Sequence, residues 1–216
     1  MINEEYLVLV SDGSLKYIHM MSFAWILASP SGKWIAAACG PGSGEGSSLR
    51  IEADGMLSGS LCCSILADEL KLPASKFRIR YICDNSSLIN NCIDRLTYTV
   101  PFPNTTLRSE FDLIEEIYQT NKQHGIISQF EWQKGHLDDE IEEEELPLIA
   151  QLNVNADTIA KEWTKEKGEI FIDSFDDLVP SNTAALIIEG SHVTSNYYNR
   201  LLESYSEGKY IEYLQN

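Results

Sequence analysis

EYLVLVSDGS, residues 5–14, joins an apolar run to a polar turn that carries an acid, Asp12. The segment FRIRYICDNS, residues 77–86, has the same plan and carries Asp84 at the corresponding place. Runs of β-branched and aromatic residues bounded by Gly, Asn, Asp and Ser are typical of strands that end in turns. We therefore expect each of these acids to sit where a strand ends.

An antiparallel meander is predicted over residues 5–40. Residues 22–28 and 33–39 are rich in Trp, Ile and Ala, and each has the length of a strand. The sequence Ser-Pro-Ser-Gly at residues 29–32 joins them and supplies turn geometry. The first three strands are therefore expected to pair with their neighbours in sequence.

A helix is predicted to follow, from a cap at Ser47 or Ser48 to about Leu70. Steps of three and four from Glu52 reach mostly small residues, which let a helix approach a sheet closely: Gly55, Met56, Gly59, Cys62 and Cys63. Glu52 is therefore expected to face the sheet. This helical crossover is expected to leave residues 77–83 parallel to the first strand, which would place Asp12 and Asp84 next to each other.

The remaining pattern completes an α/β fold. We expect a short helix from Asn85, a helix over 109–123, a fifth strand over 126–132, an acidic solvated loop at 138–145 and a helix over 148–165 that carries Asp157. The prediction is a five-stranded mixed sheet, three antiparallel strands and then two parallel ones, flanked by helices. Beyond a soft boundary at Gly168, a strand over 184–188 and helices near 195–205 and 210–214 form a small C-terminal extension.

Composition limits the class of protein. The 216 residues are 44% hydrophobic, enough for one sizeable domain with a short extension. No apolar run approaches the roughly 20 residues that span a bilayer, and residues 1–5 lack the features of a signal peptide, so we expect an intracellular protein, cytoplasmic or nuclear. The cysteines are odd in number, without zinc-site spacing, and are expected to be reduced core residues: Cys39, Cys62, Cys63, Cys83 and Cys92.

The charge is strongly acidic. The formal net charge is −17, and removing the seven acids between Asp138 and Glu145 still leaves −10. Proteins that hold nucleic acid by its phosphates normally do so with clustered Lys and Arg. The segment 85–108 offers only Arg95 and Arg108. The charge is therefore the main argument against a nucleic-acid substrate.

Five short segments stand in one order along the chain: SDGS at 11–14, SLRIEA at 48–53, DNS at 84–86, WQKGH at 132–136 and NVNADTIA at 153–160. In this order they resemble the type I ribonuclease H family, and most of all the domains that follow reverse transcriptases in retrotransposons. The resemblance implies a ribonuclease H-like domain at residues 4–167, with residues 168–216 as the extension.

By this resemblance the metal-binding carboxylates fall on Asp12, Glu52, Asp84 and Asp157, and the mobile catalytic-loop histidine falls on His136. It implies two Mg²⁺ ions, with Mn²⁺ as a substitute, and hydrolysis of the RNA strand of an RNA/DNA hybrid in a retroelement-derived protein. An adjoining reverse transcriptase domain is the implied protein partner, and no membrane is involved. The sequence does not set the oligomeric state.

Each acid alone also has an ordinary structural interpretation. Asp12 suits a turn, and the segment Asp84-Asn85-Ser86 suits the cap of a helix. Glu52 suits a solvated helix position or an ion pair with Arg50, and Asp157 suits an exposed pair with Lys161. Together these interpretations leave the order of the segments unexplained.

Three rival classes remain. Integrase-type nucleases have a Glu on the last helix where this chain has Asp157, and proofreading exonucleases need a Glu two residues after the first Asp, where this chain has Ser14. A catalytically silent module that serves as a scaffold or docking domain is the main alternative, and the negative charge favours it.

Overall fold

The computed structural model describes most of the chain: residues 6–17, 20–44, 46–71, 77–102, 104–142, 145–167, 186–188 and 191–215. The boundary predicted at Gly168 lies outside the described residues. The division into a domain at 4–167 and an extension at 168–216 therefore stays a prediction.

A five-stranded mixed sheet forms the centre of the fold. Its strands are β1 (Leu7–Tyr17), β2 (Met20–Ala28), β3 (Trp34–Pro41), β4 (Arg78–Cys83) and β5 (Ile127–Trp132). Their order is β3-β2-β1-β4-β5. β2 is antiparallel to both β1 and β3, β4 is parallel to β1, and β5 is parallel to β4. This confirms the predicted fold class, three antiparallel strands followed by two parallel ones.

Helices cover both faces of the sheet. The described residues form α1 (Ser48–Glu69), α2 (Ser86–Arg95), α3 (Phe111–Gln123), α4 (Leu148–Lys167) and α5 (Tyr197–Gln215). Side-chain alternation along β1 separates two cores: Leu9 packs with Met56 on the face that carries α1, α2 and α3, whereas Val8 and Val10 pack with Ala156 of α4 on the other. The sheet is therefore a buried central layer.

Small residues let α1 lie directly on the sheet. A Cβ atom at Gly59 would come within 2.5 Å of Leu9 Cδ1, and one at Gly55 within 3.2 Å of Phe23 Cβ. The hydroxyl of Ser47 caps the helix by accepting a hydrogen bond from Arg50 N at 2.9 Å. The predicted start of the helix and its small-residue face are both confirmed.

The C-terminal extension differs from its prediction. Where two helices were expected, α5 is one helix that continues through Gly208. A glycine inside a helix costs only about 1 kcal/mol relative to alanine, so without a proline it need not end the helix. The strand at β6 (Leu186–Ile188) lies within the predicted range, and it pairs with an unpredicted strand, β7 (Ser191–Val193). The backbone N–H of Glu110 donates to Thr194 O at 2.9 Å, so the described part of the extension contacts the core.

All five cysteines are free, but they are not all in the core. Cys39 is exposed because β3 is an edge strand, and Cys62 is half-buried on α1. The described residues of the acidic run, 138–142 and 145, are exposed, which confirms a solvated loop there. None of the helices in the described part of the chain combines the length and apolar character that a bilayer crossing needs.

Candidate metal centre

Asp12 lies within β1 and not at its end. Pairing with β4 stops at Val10, but β1 runs on to Tyr17 because it continues to pair with β2, where Asp12 lies opposite Ala24. The expectation that Asp12 ends a strand was therefore wrong. The strand nevertheless leaves its parallel neighbour just before Asp12, and the side chain is buried, with 6% exposed.

Two hydrogen bonds orient the Asp12 carboxylate. Oδ1 accepts from the backbone N–H of Gly13 at 2.7 Å, and Oδ2 accepts from Nδ2 of Asn153 at 3.1 Å. Burial, and then the charges of Asp84 and Asp157, raise the pKa of Asp12 to about 8. A carboxyl held this way is poorly stabilised as an anion unless a cation joins it.

Glu52 faces the sheet from α1, as expected. Its side chain is buried, and Oε2 accepts a hydrogen bond from the Cys83 thiol at 3.4 Å. Burial, followed by the charges of Asp12 and Asp84, raises the pKa of Glu52 well above its ordinary value. Arg50 is not its ion-pair partner: that guanidinium binds Glu110 at 2.9 Å.

Asp84 follows β4 directly, which confirms that it sits where a strand ends. Asn85 is the residue that caps α2, by accepting from Leu88 N at 3.1 Å, so the Asp84 carboxylate is not used as a cap. Trp132 Nε1 donates to the Asp84 carbonyl at 2.8 Å and fixes its backbone. Burial and then the charge of Asp157 raise the pKa of Asp84, while His136 lowers it.

Asp157 projects from α4 toward the same acids. Its side chain is 18% exposed, and its Oδ2 accepts from Nζ of Lys161 at 2.5 Å. The predicted pair with Lys161 is therefore present. Its charge also raises the pKa of Asp12 and of Asp84, so Asp157 lies near both.

His136 lies in the loop after β5. It is exposed, and its backbone has a φ of 53°, in the left-handed region. Gly135 brings this loop against the cluster, because a Cβ atom there would lie 2.1 Å from Asp84 Oδ2. The imidazole lies close enough to Asp84 to lower the pKa of that carboxyl.

The donor set fits a hard divalent cation. Carboxylate oxygens of Glu52 and Asp84 and the sulfur of Cys83 lie within 4.8 Å of one another. Burial raises the pKa of Cys83 well above that of an ordinary thiol, so the sulfur acts as a hydrogen-bond donor and the oxygens are the available ligands. Mg²⁺ and Mn²⁺ prefer such oxygen ligands.

The structure thus brings Glu52 of α1 and Asp84 at the end of β4 within 4.8 Å of each other, and the charges of Asp12 on β1 and Asp157 on α4 act on the same group. Sequence reasoning did not give the thiol of Cys83 a place in this cluster, because a Cys inside an apolar strand carries no signal of its neighbour. The hydrogen bond from Asn153 to Asp12 spans 141 residues and has no local signal either.

Comparison with known proteins supports the fold. No protein-family model matches the sequence, and no curated protein matches it. The structure is similar to LC11-RNase H1, an enzyme isolated from compost by a metagenomic approach and solved in complex with an RNA/DNA hybrid. The two chains are 10% identical, the match covers 74% of this chain and 97% of that chain, and the TM-score is 0.51. It is also similar to the RNase H domain of prototype foamy virus, at 16% identity, 75% and 96% coverage and a TM-score of 0.50. The chain therefore has the ribonuclease H fold.

Proposed function

We propose that this protein is a metal-dependent endonuclease that hydrolyses the RNA strand of RNA/DNA hybrids. One observation carries the proposal: on a ribonuclease H fold, acids from four separate elements lie near one another, and burial together with the charges of neighbouring acids raises the pKa of Asp12, Glu52 and Asp84. Burying like charges together is costly, so a fold that keeps them is expected to bind a cation there.

The ligands would be oxygens of Asp12, Glu52, Asp84 and Asp157. Two bound Mg²⁺ ions would supply an activated water and charge stabilisation at the phosphodiester. Asn153 holds the Asp12 carboxylate in place, and the Cys83 thiol does the same for Glu52. These contacts reduce the rearrangement that the cluster needs when it is loaded.

His136 is proposed to handle the proton of the leaving 3′ oxygen. Its charge lowers the pKa of Asp84, so it lies near the cluster. It is also exposed, so it can reach a substrate outside the carboxylate pocket. An imidazole near neutrality can both hold and release a proton.

Few arginines of this chain are available to bind the phosphates of the substrate. Both arginines between residues 85 and 108 are engaged within the chain: Arg95 binds Glu115, and Arg108 binds Asp94 at 2.8 Å. An adjoining reverse transcriptase domain, as in a retroelement-derived protein, would supply further phosphate contacts. The RNA strand would be distinguished by its 2′-hydroxyls in the wide minor groove of the hybrid.

The direct test is cleavage of an end-labelled RNA/DNA hybrid with Mg²⁺ or Mn²⁺. We expect internal cuts in the RNA strand only, and loss of cutting in Asp12→Asn. Asp139→Asn is the matched control, because Asp139 is exposed and outside the cluster. Cutting that survives Asp12→Asn would place the chemistry elsewhere.

The acidic charge favours one other candidate, a silent module that serves as a scaffold or docking domain. In that case no hybrid would be cut with either ion. The two candidates separate in the same assay, provided that the protein is shown to be folded by its melting transition.

A further inference from the structure

Most of the described arginines, and Lys134, are paired with acids within the chain. Ion pairs join Arg50 to Glu110, Arg80 to Glu131, Arg95 to Glu115, Arg108 to Asp94 and Lys134 to Glu140. A cation paired in this way contributes little to binding an outside anion. The distribution of the unpaired cations therefore matters more than the net charge.

Lysines line one groove at the end of β1. It has a volume of about 470 Å³, lies between β1, the start of β2 at Met20 and the C-terminal half of α4, and is lined by Lys16, Lys161 and Lys165. Lys16 and Lys165 are exposed, and neither forms an ion pair within the described residues. This groove is thus a local basic surface on an acidic protein.

The groove begins at the carboxylate cluster. Lys161 lines it and also donates to Asp157, one of the four clustered acids. Lys165 lies one helical turn further along α4, about 6 Å away, and Lys16 lies four residues beyond Asp12 on β1. The three cations therefore lead away from the cluster along two neighbouring elements.

We propose that this groove binds the phosphate backbone of the nucleic-acid strand that enters the carboxylate cluster, with Lys16 and Lys165 as phosphate contacts. The inference rests on the proposed nuclease function and names the surface that holds its substrate. The described lining of the groove contains no carboxylate, and Lys161 joins it to Asp157, so a strand can meet ligands for a cation at one end and lysines along the rest. Ser14 adds a hydroxyl to the same lining.

The test compares two double variants that remove the same charge. Lys16→Gln/Lys165→Gln alters the groove. Lys33→Gln/Lys71→Gln is the control, because Lys33 lies in the turn between β2 and β3, and Lys71 lies at the far end of α1, roughly 28 Å along the helix from Glu52. Both are made in the Asp12→Asn background, so that the hybrid is bound and not cut, and melting curves check that each is folded.

Binding of a fluorescent RNA/DNA hybrid is measured with Mg²⁺ between about 50 and 200 mM salt. We expect the groove variant to raise the Kd about tenfold and the control to change it less than twofold. The slope of log K against log salt should fall by about 1.8 in the groove variant, since each lost phosphate contact removes about 0.9.

Equal Kd values and equal salt slopes for the two double variants would overturn the groove. The nuclease function is judged separately, by cleavage with the chain that keeps Asp12. Groove-dependent binding without any cleavage would overturn the nuclease proposal alone, whereas cleavage with no difference between the double variants would overturn the groove alone.

Discussion

Replacing Asp12 by Asn should stabilise the metal-free protein at alkaline pH. The pKa of Asp12 is raised from 3.8 to about 8 by burial and by the neighbouring acids. A carboxyl that stays protonated when folded but ionises when unfolded costs about 1.36 kcal/mol for each unit of pH above its unfolded pKa. At about pH 7.5 this is up to about 5 kcal/mol, a cost that a neutral amide does not have.

The amide can be accommodated where the carboxylate was. Asp12 accepts from Gly13 and from Asn153, and Asn153 Oδ1 has no hydrogen-bond partner among the described residues. Rotation of the Asn153 amide would let that oxygen accept from the introduced NH₂ group. Allowing about 2 kcal/mol for imperfect hydrogen bonds leaves a net gain of about 3 kcal/mol, or roughly 6–12 °C in Tm for a chain of this size.

The sign of the pH dependence is fixed. A raised pKa gives stability that is present below the unfolded pKa of 3.8 and is lost as the pH rises toward about 8. The advantage of Asp12→Asn over the wild type should therefore be near zero at about pH 4 and largest near pH 8. Calorimetric melting in EDTA across this range measures it, with Asp139→Asn as the exposed control.

The reasoning is refuted if Asp12→Asn melts at or below the wild-type temperature near pH 8 in EDTA while the Asp139→Asn control is unchanged. That result would mean that Asp12 is neither buried nor close to other acids. An advantage of constant size from pH 4 to 8 would also contradict it, because it would point to packing and not to ionisation.

Three further outcomes are expected. Mg²⁺ should raise the Tm of the wild type, and more at about pH 8 than at pH 6, because protons compete for carboxyls of raised pKa. Asp84→Asn should weaken this shift in thermal melts. A shift of equal size at both pH values would count against the site. Gly135→Ala should lower hybrid cleavage by ten- to a hundredfold, because the added Cβ would displace the Asp84 carboxylate. Gly208→Ala, which has open space around it, should cleave normally in a parallel time course. Arg95→Met should lower the free energy of unfolding by about 3–5 kcal/mol in urea titrations, because it leaves the buried carboxylate of Glu115 without its cation. A loss below about 1 kcal/mol would contradict that burial.

The sheet could be predicted because its order follows from local patterns and one general rule. The runs before Asp12 and Asp84 identify strands, and the helix between the third and fourth strands requires a parallel crossover. Gly55 and Gly59 then showed which face of that helix meets the sheet, and so where Glu52 points. These are properties of neighbouring residues.

What the sequence did not yield depends on distant partners. The end of β1 is set by pairing with β2 across the hairpin, and no residue near Asp12 marks it. Arg50 pairs with Glu110, 60 residues away, and not with Glu52, two residues away. Cys83 meets Glu52 only because α1 packs on β1 and β4 lies beside β1 in the sheet. Each case is a choice among several chemically suitable partners, which the three-dimensional packing decides.

The net charge of −17 likewise does not show which charges lie near the site. Summed over the chain, it argues against any grip on phosphates, but an anion responds to the charges within about 10 Å at ordinary salt. The described acids of the 138–145 run lie in an exposed loop, whereas Asp12 and Glu52 belong to the carboxylate cluster and Glu110 and Glu115 pair with arginines. The lysines at the end of β1 and on α4 are the charges that a strand leaving this cluster would meet first. An acidic chain can therefore carry a basic groove. The salt dependence of hybrid binding by the groove variant decides whether this groove binds the phosphate backbone.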